Sequence, residues 1–260
     1  MTKPYLSIIV PAYNEAERLP KTLLDMDHRL AQVPYSYEII VVNDGSKDNT
    51  PEVVLGMVKM IKNLKFIDNK ENKGKGGVVK HGILAATGNI RLFTDADNST
   101  SIDQFEKMMP YFGNNREKYY DVVIGSRAMK GSVLDPAEPW FRQIPGKMGN
   151  LLIQALLLPG LWDTQCGFKA FTEEAAEKVF GASRITGWGF DVEVLSLAKE
   201  MEYRIKEIPV HWVNDTRSHV KASAYIKVLL ETFLIRWRLW TNWYTIGESE
   251  KGGALGGKSK

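Results

Sequence analysis

Short apolar, β-branched runs alternate with stretches of helical period through the first half of the chain. Leu6 to Val10, Tyr37 to Val42, Lys65 to Asp68, Asn89 to Thr94 and Asp121 to Ile124 have the length and composition of buried strands. Glu15 to Ala31, Thr50 to Lys62, Val78 to Ala86 and Ile102 to Phe112 carry the spacing of amphipathic helices. Strands separated by helices are joined by crossovers, so the pattern predicts an α/β fold, a mostly parallel central sheet flanked by helices. Such sheets take ligands in the crevice beyond the carboxyl ends of their strands. The conspicuous polar clusters of this half all stand at such ends: Pro11 to Glu15, Asn43 to Ser46, Asn72 to Gly77, and Asp95 to Asp97.

The second half is patterned differently. A loop punctuated by Gly and Pro, Gly131 to Pro139, leads to an apolar helix at Gly149 to Leu158 and is expected to complete the pocket on the side of an acceptor. From Ala222 to Tyr244, Leu229, Leu230, Phe233, Leu234, Trp237 and Trp240 interleave with Lys227, Arg236 and Arg238. That mixture suits an amphipathic helix lying on a membrane surface, and equally an ordinary packed C-terminal helix. With Lys227, Glu231, Arg236 and Arg238 inside it, the segment does not suit a bilayer span. The expected organisation is one domain over residues 1–221, an amphipathic helical segment over 222–246, and a flexible tail rich in Gly, Ser and Lys over 247–260.

Composition narrows the picture modestly. The chain has 260 residues, 44% of them hydrophobic, which is ample for one full core. A net charge of +3 gives no reason to expect a nucleic-acid partner. Cys166, the single cysteine, rules out an internal disulfide and fits a cytoplasmic setting. Met1 to Pro4 run directly into a strand without a signal-peptide pattern.

The candidate chemistry begins with Asp95 and Asp97. After a strand ending at Thr94, alternation sends both carboxylates to one side, where a hard cation such as Mg or Mn finds oxygen ligands. An isolated Asp-x-Asp is also a common turn. Asp44 either accepts from the imino N–H of a base or belongs to a turn capped by Asn49 or Thr50. The run from Asn72 to Gly77, with Lys75 at its centre, either cradles phosphate or lets backbones pack closely. It lacks the Walker pattern, which argues against a nucleotide triphosphatase. Arg127 and Arg142 bring guanidinium forks suited to phosphate, or are solvated surface groups. Asp191 and Glu193, beside Trp188 and Phe190, either cap a helix or line a sugar pocket. His81, His211 and His219 lack metal-ligand spacing, and no Gly-x-Ser-x-Gly supports acyl hydrolysis.

Taken together, Ser7 to Glu15, Asn43 to Ser46, Asn72 to Gly77, Asp95 to Asp97, Ile124 to Arg127, Asp163 to Lys169 and Trp188 to Glu193 resemble the family 2 glycosyltransferases in order and spacing. The runs Asp163 to Lys169 and Gly187 to Glu193 look most like those of dolichyl-phosphate β-glucosyltransferases and their prokaryotic polyprenyl-phosphate relatives. The resemblance implies a GT-A fold. It places Pro11, Tyr13 and Glu15 at the nucleoside, Asp44 at the base, Asp95 with Lys75 at the nucleotide sugar, and Asp97 at the metal. It assigns Arg127 and Arg142 to the acceptor phosphate and sets Asp191 where relatives carry a catalytic carboxylate. Gly146 departs from the pattern, since related mannose-transferring synthases tend to place a hydroxyl residue there.

The implied activity is inverting, metal-dependent transfer of a hexose, with UDP-glucose the expected donor, onto a polyprenyl (dolichyl-type) phosphate. The expected location is cytoplasmic, peripheral to the cytoplasmic face of a membrane. Alternatives are a GDP-mannose or UDP-N-acetylhexosamine donor, a glycan acceptor, or a nucleotide-sugar sensor or scaffold without turnover.

Overall fold

The computed structural model describes residues 3–113, 115, 118–136, 140–214 and 222–244, with the backbone alone for 140–145, 147 and 222–225. From the N-terminus, β1 (Leu6–Ala12), α1 (Leu19–Leu30), β2 (Tyr37–Asp44), α2 (Thr50–Val58), β3 (Leu64–Asn69), α3 (Lys75–Ala85) and β4 (Ile90–Thr94) follow as strand and helix units. Two short 3-10 turns, Ile102–Lys107 and Met109–Tyr111, lead to β5 (Val122–Ser126) and β6 (Val133–Asp135). Then come α4 (Trp140–Leu156), β7 (Phe168–Thr172), α5 (Glu173–Ala182) and α6 (Phe190–Glu200). Last are β8 (Ile205–Pro209), β9 (His211–Val213) and α7 (Ala222–Trp240).

The main sheet has the order β3-β2-β1-β4-β7-β5-β8. Its pairings are parallel except around β7, which runs antiparallel to both β4 and β5. The strand order reverses between β1 and β4, the switch point where a crevice opens. Because β7 runs the opposite way, its first residues meet the carboxyl end of β4, with Phe168 opposite Thr94 and Lys169 opposite Phe93. A small parallel pair, β6 and β9, carries Trp212.

Alternation divides the sheet's side chains between two cores. Ile9, Ile40, Val42, Phe93 and Phe171 pack under α3, α5 and α6, joined by Val228 and Ile235 of α7. Ile8, Val10, Ile39, Val41 and Leu92 pack under α1 and α2 on the other face. The fold is the expected α/β arrangement.

Several expected helices differ in extent. α1 starts at Leu19 rather than Glu15, because Pro20 suits a first helical turn. The N–H groups of Asn14, Glu15 and Ala16 instead donate to Ser46, Thr50 and Asp48. The helix expected over Ile102 to Phe112 is two 3-10 turns, broken where Pro110 lacks a donor. The helix at Gly149 to Leu158 is the second half of α4, and the loop from Gly131 contains β6. The tail 247–260 lies outside the described residues.

Gly82 shows how tightly α3 lies on the sheet. A Cβ there would sit 2.5 Å from Ile9 Cγ2 and 2.8 Å from Val42 Cγ2. Gly82→Val is therefore expected to lower stability by about 1–3 kcal/mol through overpacking. Urea denaturation measures it, and an unchanged midpoint would contradict this packing.

Candidate active site

The site grows from the end of β4. Asp95 N donates to Gly167 O at 3.2 Å, which ties the loop after β4 to the segment entering β7. The Asp95 carboxylate lies so close to Gly167 that a Cβ there would stand 2.0 Å from Oδ2. Its Oδ1 receives Lys75 Nζ at 2.7 Å. Lys75 is the first residue of α3, and its Nζ also lies 5.3 Å from the ring centroid of Trp188. Asp97 Oδ1 accepts from Ser99 N at 3.0 Å. Burial, and then the neighbouring Asp95 carboxylate, push the Asp97 carboxyl above its ordinary value.

Beneath these groups lies a buried ion pair. Lys169 Nζ is 2.5 Å from Asp191 Oδ1 and 2.6 Å from Cys166 O. Lys169 is fully buried and Asp191 nearly so. Burial raises the Asp191 carboxyl, against the opposing pull of Lys169 and then Lys75. Lys75, paired with Asp95, also feels the Asp191 and Asp97 carboxylates. A buried charge left without its partner is strongly destabilising, so Lys169 and Asp191 hold each other in place.

The glycine-rich loop before α3 serves packing. Lys73 N and Gly74 N donate to Asp44 at 2.6 and 3.1 Å, and Gly76 N donates to Thr186 O at 2.8 Å. Gly74 has φ +80°, and a Cβ there would lie 2.5 Å from Thr186 O. These donors are engaged within the protein, so the loop brings the Lys75 ammonium to the site rather than a backbone phosphate cradle. Asp44 closes the same loop, and burial raises its carboxyl although Lys73 and Gly74 donate to it. Each of its oxygens thus accepts one backbone N–H.

Tyr13 is exposed at the end of β1 and Pro11 is partly buried. Glu15 binds Arg18, with Nε to Oε2 at 2.7 Å. Asn14 N donates to Ser46 Oγ at 2.9 Å and Lys47 N to Asn14 Oδ1 at 2.8 Å, so the loops after β1 and β2 form one wall.

Arg127, just past β5, is clamped by Asp163. Nε and Nη2 reach the two carboxylate oxygens at 2.7 and 2.9 Å, and Arg127 N donates at 2.9 Å. Asp163 is itself fixed because its N donates to Glu207 Oε1 at 2.8 Å. The guanidinium lies 4.8 Å from the Trp212 ring centroid. Burial opposes its charge, but Asp163 outweighs that effect and holds the guanidinium above its ordinary value. One edge of the fork is thus given to Asp163, leaving the remaining Nη hydrogens for an anion. Nearby Cys166 is buried, and burial pushes its thiol up to about 12, so it is no nucleophile.

Pro11, Tyr13, Glu15, Asp44, Lys75, Asp95, Asp97, Arg127 and Asp191 therefore all belong to the strand ends, loops and helix starts along one edge of the sheet. The Arg142 side chain lies outside the described residues. Glu193 is fully buried and accepts from Arg184 N and Ile185 N at 2.9 and 2.8 Å. Sequence reasoning did not single out Lys169, Gly167 or Asp163 individually. Their signal lay within the run Asp163 to Lys169, whose meaning depends on the antiparallel course of β7.

Among the described residues no cluster of three His, Cys, Asp or Glu side chains could enclose a metal. Asp97, raised by burial and by Asp95, still suits a hard cation, since Mg²⁺ is commonly held by one or two carboxylates plus substrate phosphates.

Gly167→Ala would drive the Asp95 carboxylate from its seat. The expected result is a fall of about 10- to 100-fold in affinity for a nucleoside diphosphate, the worth of one charged hydrogen bond. Calorimetric titration with UDP measures it, and unchanged affinity would show that Asp95 does not need this seat.

The model for the family described as "Glycosyl transferase family 2" matches residues 7–180. The dolichyl-phosphate β-glucosyltransferase of Dictyostelium discoideum is 37% identical over 243 residues, covering 90% of this chain and 74% of that protein. The human dolichyl-phosphate β-glucosyltransferase is 32% identical over 256 residues, covering 95% and 79%. Glucosyl-3-phosphoglycerate synthase from Mycobacterium tuberculosis, solved with Mn²⁺, UDP and glucosyl-3-phosphoglycerate, superposes with TM-score 0.66 at 17% identity, covering 90% and 80%. Mannosyl-3-phosphoglycerate synthase from Rubrobacter xylanophilus gives TM-score 0.69 at 15% identity, covering 92% and 75%. The fold is GT-A, and the chain belongs to glycosyl transferase family 2.

Proposed function

We propose that this glycosyltransferase moves glucose from UDP-glucose, with inversion, onto the phosphate of a polyprenyl (dolichyl-type) phosphate. The observation that carries the reading is the conjunction of a donor-side Lys75–Asp95–Asp97 group with a clamped arginine, Arg127, at one sheet edge. It is supported by the similarity to dolichyl-phosphate β-glucosyltransferases over most of the chain.

In this reading Pro11, Tyr13 and Glu15 line the nucleoside and Asp44 accepts from the base. Lys75 and Asp95 meet the nucleotide sugar, and Asp97 holds Mg or Mn. That ion, when bound, acts as a Lewis acid toward the departing diphosphate. The acceptor phosphate oxygen forms a bond to the anomeric carbon as the bond from that carbon to the UDP oxygen breaks. A single displacement inverts the centre. The acceptor is already anionic near neutral pH, so no side chain has to remove a proton. Arg127, with Arg142, holds that phosphate in line, and Asp163 fixes the approach of Arg127 beforehand. Positioning of this kind lowers barriers by roughly 7–11 kcal/mol. Asp191, held by Lys169, orients the sugar.

The lipid acceptor calls for a membrane surface. No helix among the described residues is long and apolar enough to cross a membrane. α7 packs Val228, Thr232 and Ile235 inward and leaves Leu230, Phe233, Trp237 and Trp240 outward, with Trp240 78% exposed. This face, with Arg236 exposed on the same helix, suits peripheral docking on the cytoplasmic leaflet.

The test incubates the purified protein with Mn²⁺ or Mg²⁺, a short polyprenyl phosphate, and UDP-glucose or GDP-mannose in turn, following lipid product by mass. The expected result is glucosyl lipid from UDP-glucose alone, reduced about 100-fold or more by Asp97→Ala. Mannosyl lipid alone would overturn the donor, and no lipid product from either donor would overturn the acceptor.

A further inference from the structure

Glu231 lies on α7, yet its carboxylate is seated against the loop that enters α6. Its Oε2 accepts from Gly189 N at 2.7 Å. Gly189 is the N-cap of α6 and supplies no side-chain cap of its own, so the carboxylate of another helix caps α6 and meets the positive end of its dipole. The seat is walled by glycine: a Cβ at Gly187 would lie 2.7 Å from Glu231 Oε1, and one at Gly189 would lie 2.5 Å from Oε2. A side chain at Gly189 would also meet Glu231 Cβ at 2.8 Å, and one at Gly187 would displace the Glu231 carboxylate.

The loop so held carries the groups that face the donor. Trp188 stands between the two glycines, and its ring is the one beside Lys75 Nζ, which pairs with Asp95. Two residues beyond Gly189, Asp191 meets Lys169. A second tie runs parallel, since Tyr244 Oη donates to Glu193 Oε1 of α6 at 2.7 Å. The second tie anchors the body of α6 and, through Glu193, the backbone of Arg184 and Ile185, whereas the Glu231 tie holds Gly189 beside Trp188.

We infer that Glu231 is a positioning residue for glycosyl transfer, fixing the 187–191 loop so that Trp188 and Asp191 are in register with Lys75 and Lys169. It touches none of the groups assigned to substrate and acts only through the backbone of Gly189. It also joins α7, the helix proposed to face the membrane, to the donor side of the site. The inference rests on the proposed transfer reaction for its kinetic consequence, and on geometry alone for its structural one.

Two measurements test it. In steady-state glucosyl transfer to polyprenyl phosphate, Glu231→Ala is expected to lower kcat about 10- to 100-fold, the effect of misplacing reacting groups by about an ångström. UDP affinity should stay within about threefold, because the nucleoside wall lies on the loops after β1 and β2. Glu231→Gln keeps an oxygen acceptor of the same shape and should hold kcat within about fivefold, losing only the charge on the helix dipole. Glu231→Asp replaces the alanine variant if that variant does not fold. Independently, in protein labelled with 5-fluorotryptophan, the ¹⁹F resonance of Trp188, assigned with Trp188→Phe, should shift in the alanine (or aspartate) variant and stay in place in Glu231→Gln. An unchanged kcat and resonance would overturn the inference, as would parallel loss of UDP binding and transfer with the Trp188 resonance unmoved. If the wild-type protein makes no lipid product, the proposed function fails, and the ¹⁹F result still decides the role of Glu231.

Discussion

One strand running against its neighbours organises the site. β7 is inserted antiparallel between β4 and β5, so its N-terminal residues arrive at the edge where the parallel strands end. In a wholly parallel sheet that edge would receive only strand ends and the loops after them. Here it also receives Gly167, against which Asp95 rests, and Lys169, which holds Asp191. The same run begins with Asp163, which clamps Arg127 after β5. A single segment thus touches Asp95, Asp191 and Arg127.

Charge explains why this edge suits its substrates. Among the described side chains, Asp95 pairs with Lys75, Asp163 with Arg127 and Asp191 with Lys169, while Arg18 pairs with Glu15 and also draws on Asp97. The Asp97 carboxyl is raised by burial and by Asp95, with Ser99 and Arg18 opposing. Such a carboxylate favours a cation, and a cation held by so few protein ligands favours phosphate oxygens. The lysines keep Asp95 and Asp191 ordered meanwhile. Substrate binding then completes an arrangement whose parts are already placed, which is the condition for electrostatic catalysis.

Much of this was legible in the sequence because it depends on local pattern. Period-two and period-3.6 stretches marked β1 to β5 and the helices between them, and the polar clusters at strand ends marked the crevice. Helix limits were less legible where tertiary partners intervene: residues 14–16 resemble a helix start until Ser46, Asp48 and Thr50 take their N–H groups. The glycines at 74 and 76 could be read as a phosphate cradle because their neighbours, Ile185 and Thr186, are distant in sequence. The same holds for Gly167 and Glu231, whose meaning is a contact with a residue on another element. No periodicity encodes an antiparallel insertion, so Lys169 could not be paired with Asp191 before the sheet order was known.

The central claim is that Asp97 is completed by a divalent cation bound together with a diphosphate. Calorimetric titration of UDP into the protein, with Mn²⁺ and then with EDTA, tests it most directly. The account requires affinity to be about tenfold or more higher with Mn²⁺, as expected for a cation that neutralises diphosphate charge, and requires Asp97→Ala to abolish the difference. Equal affinity with and without Mn²⁺ in the wild-type protein would contradict it.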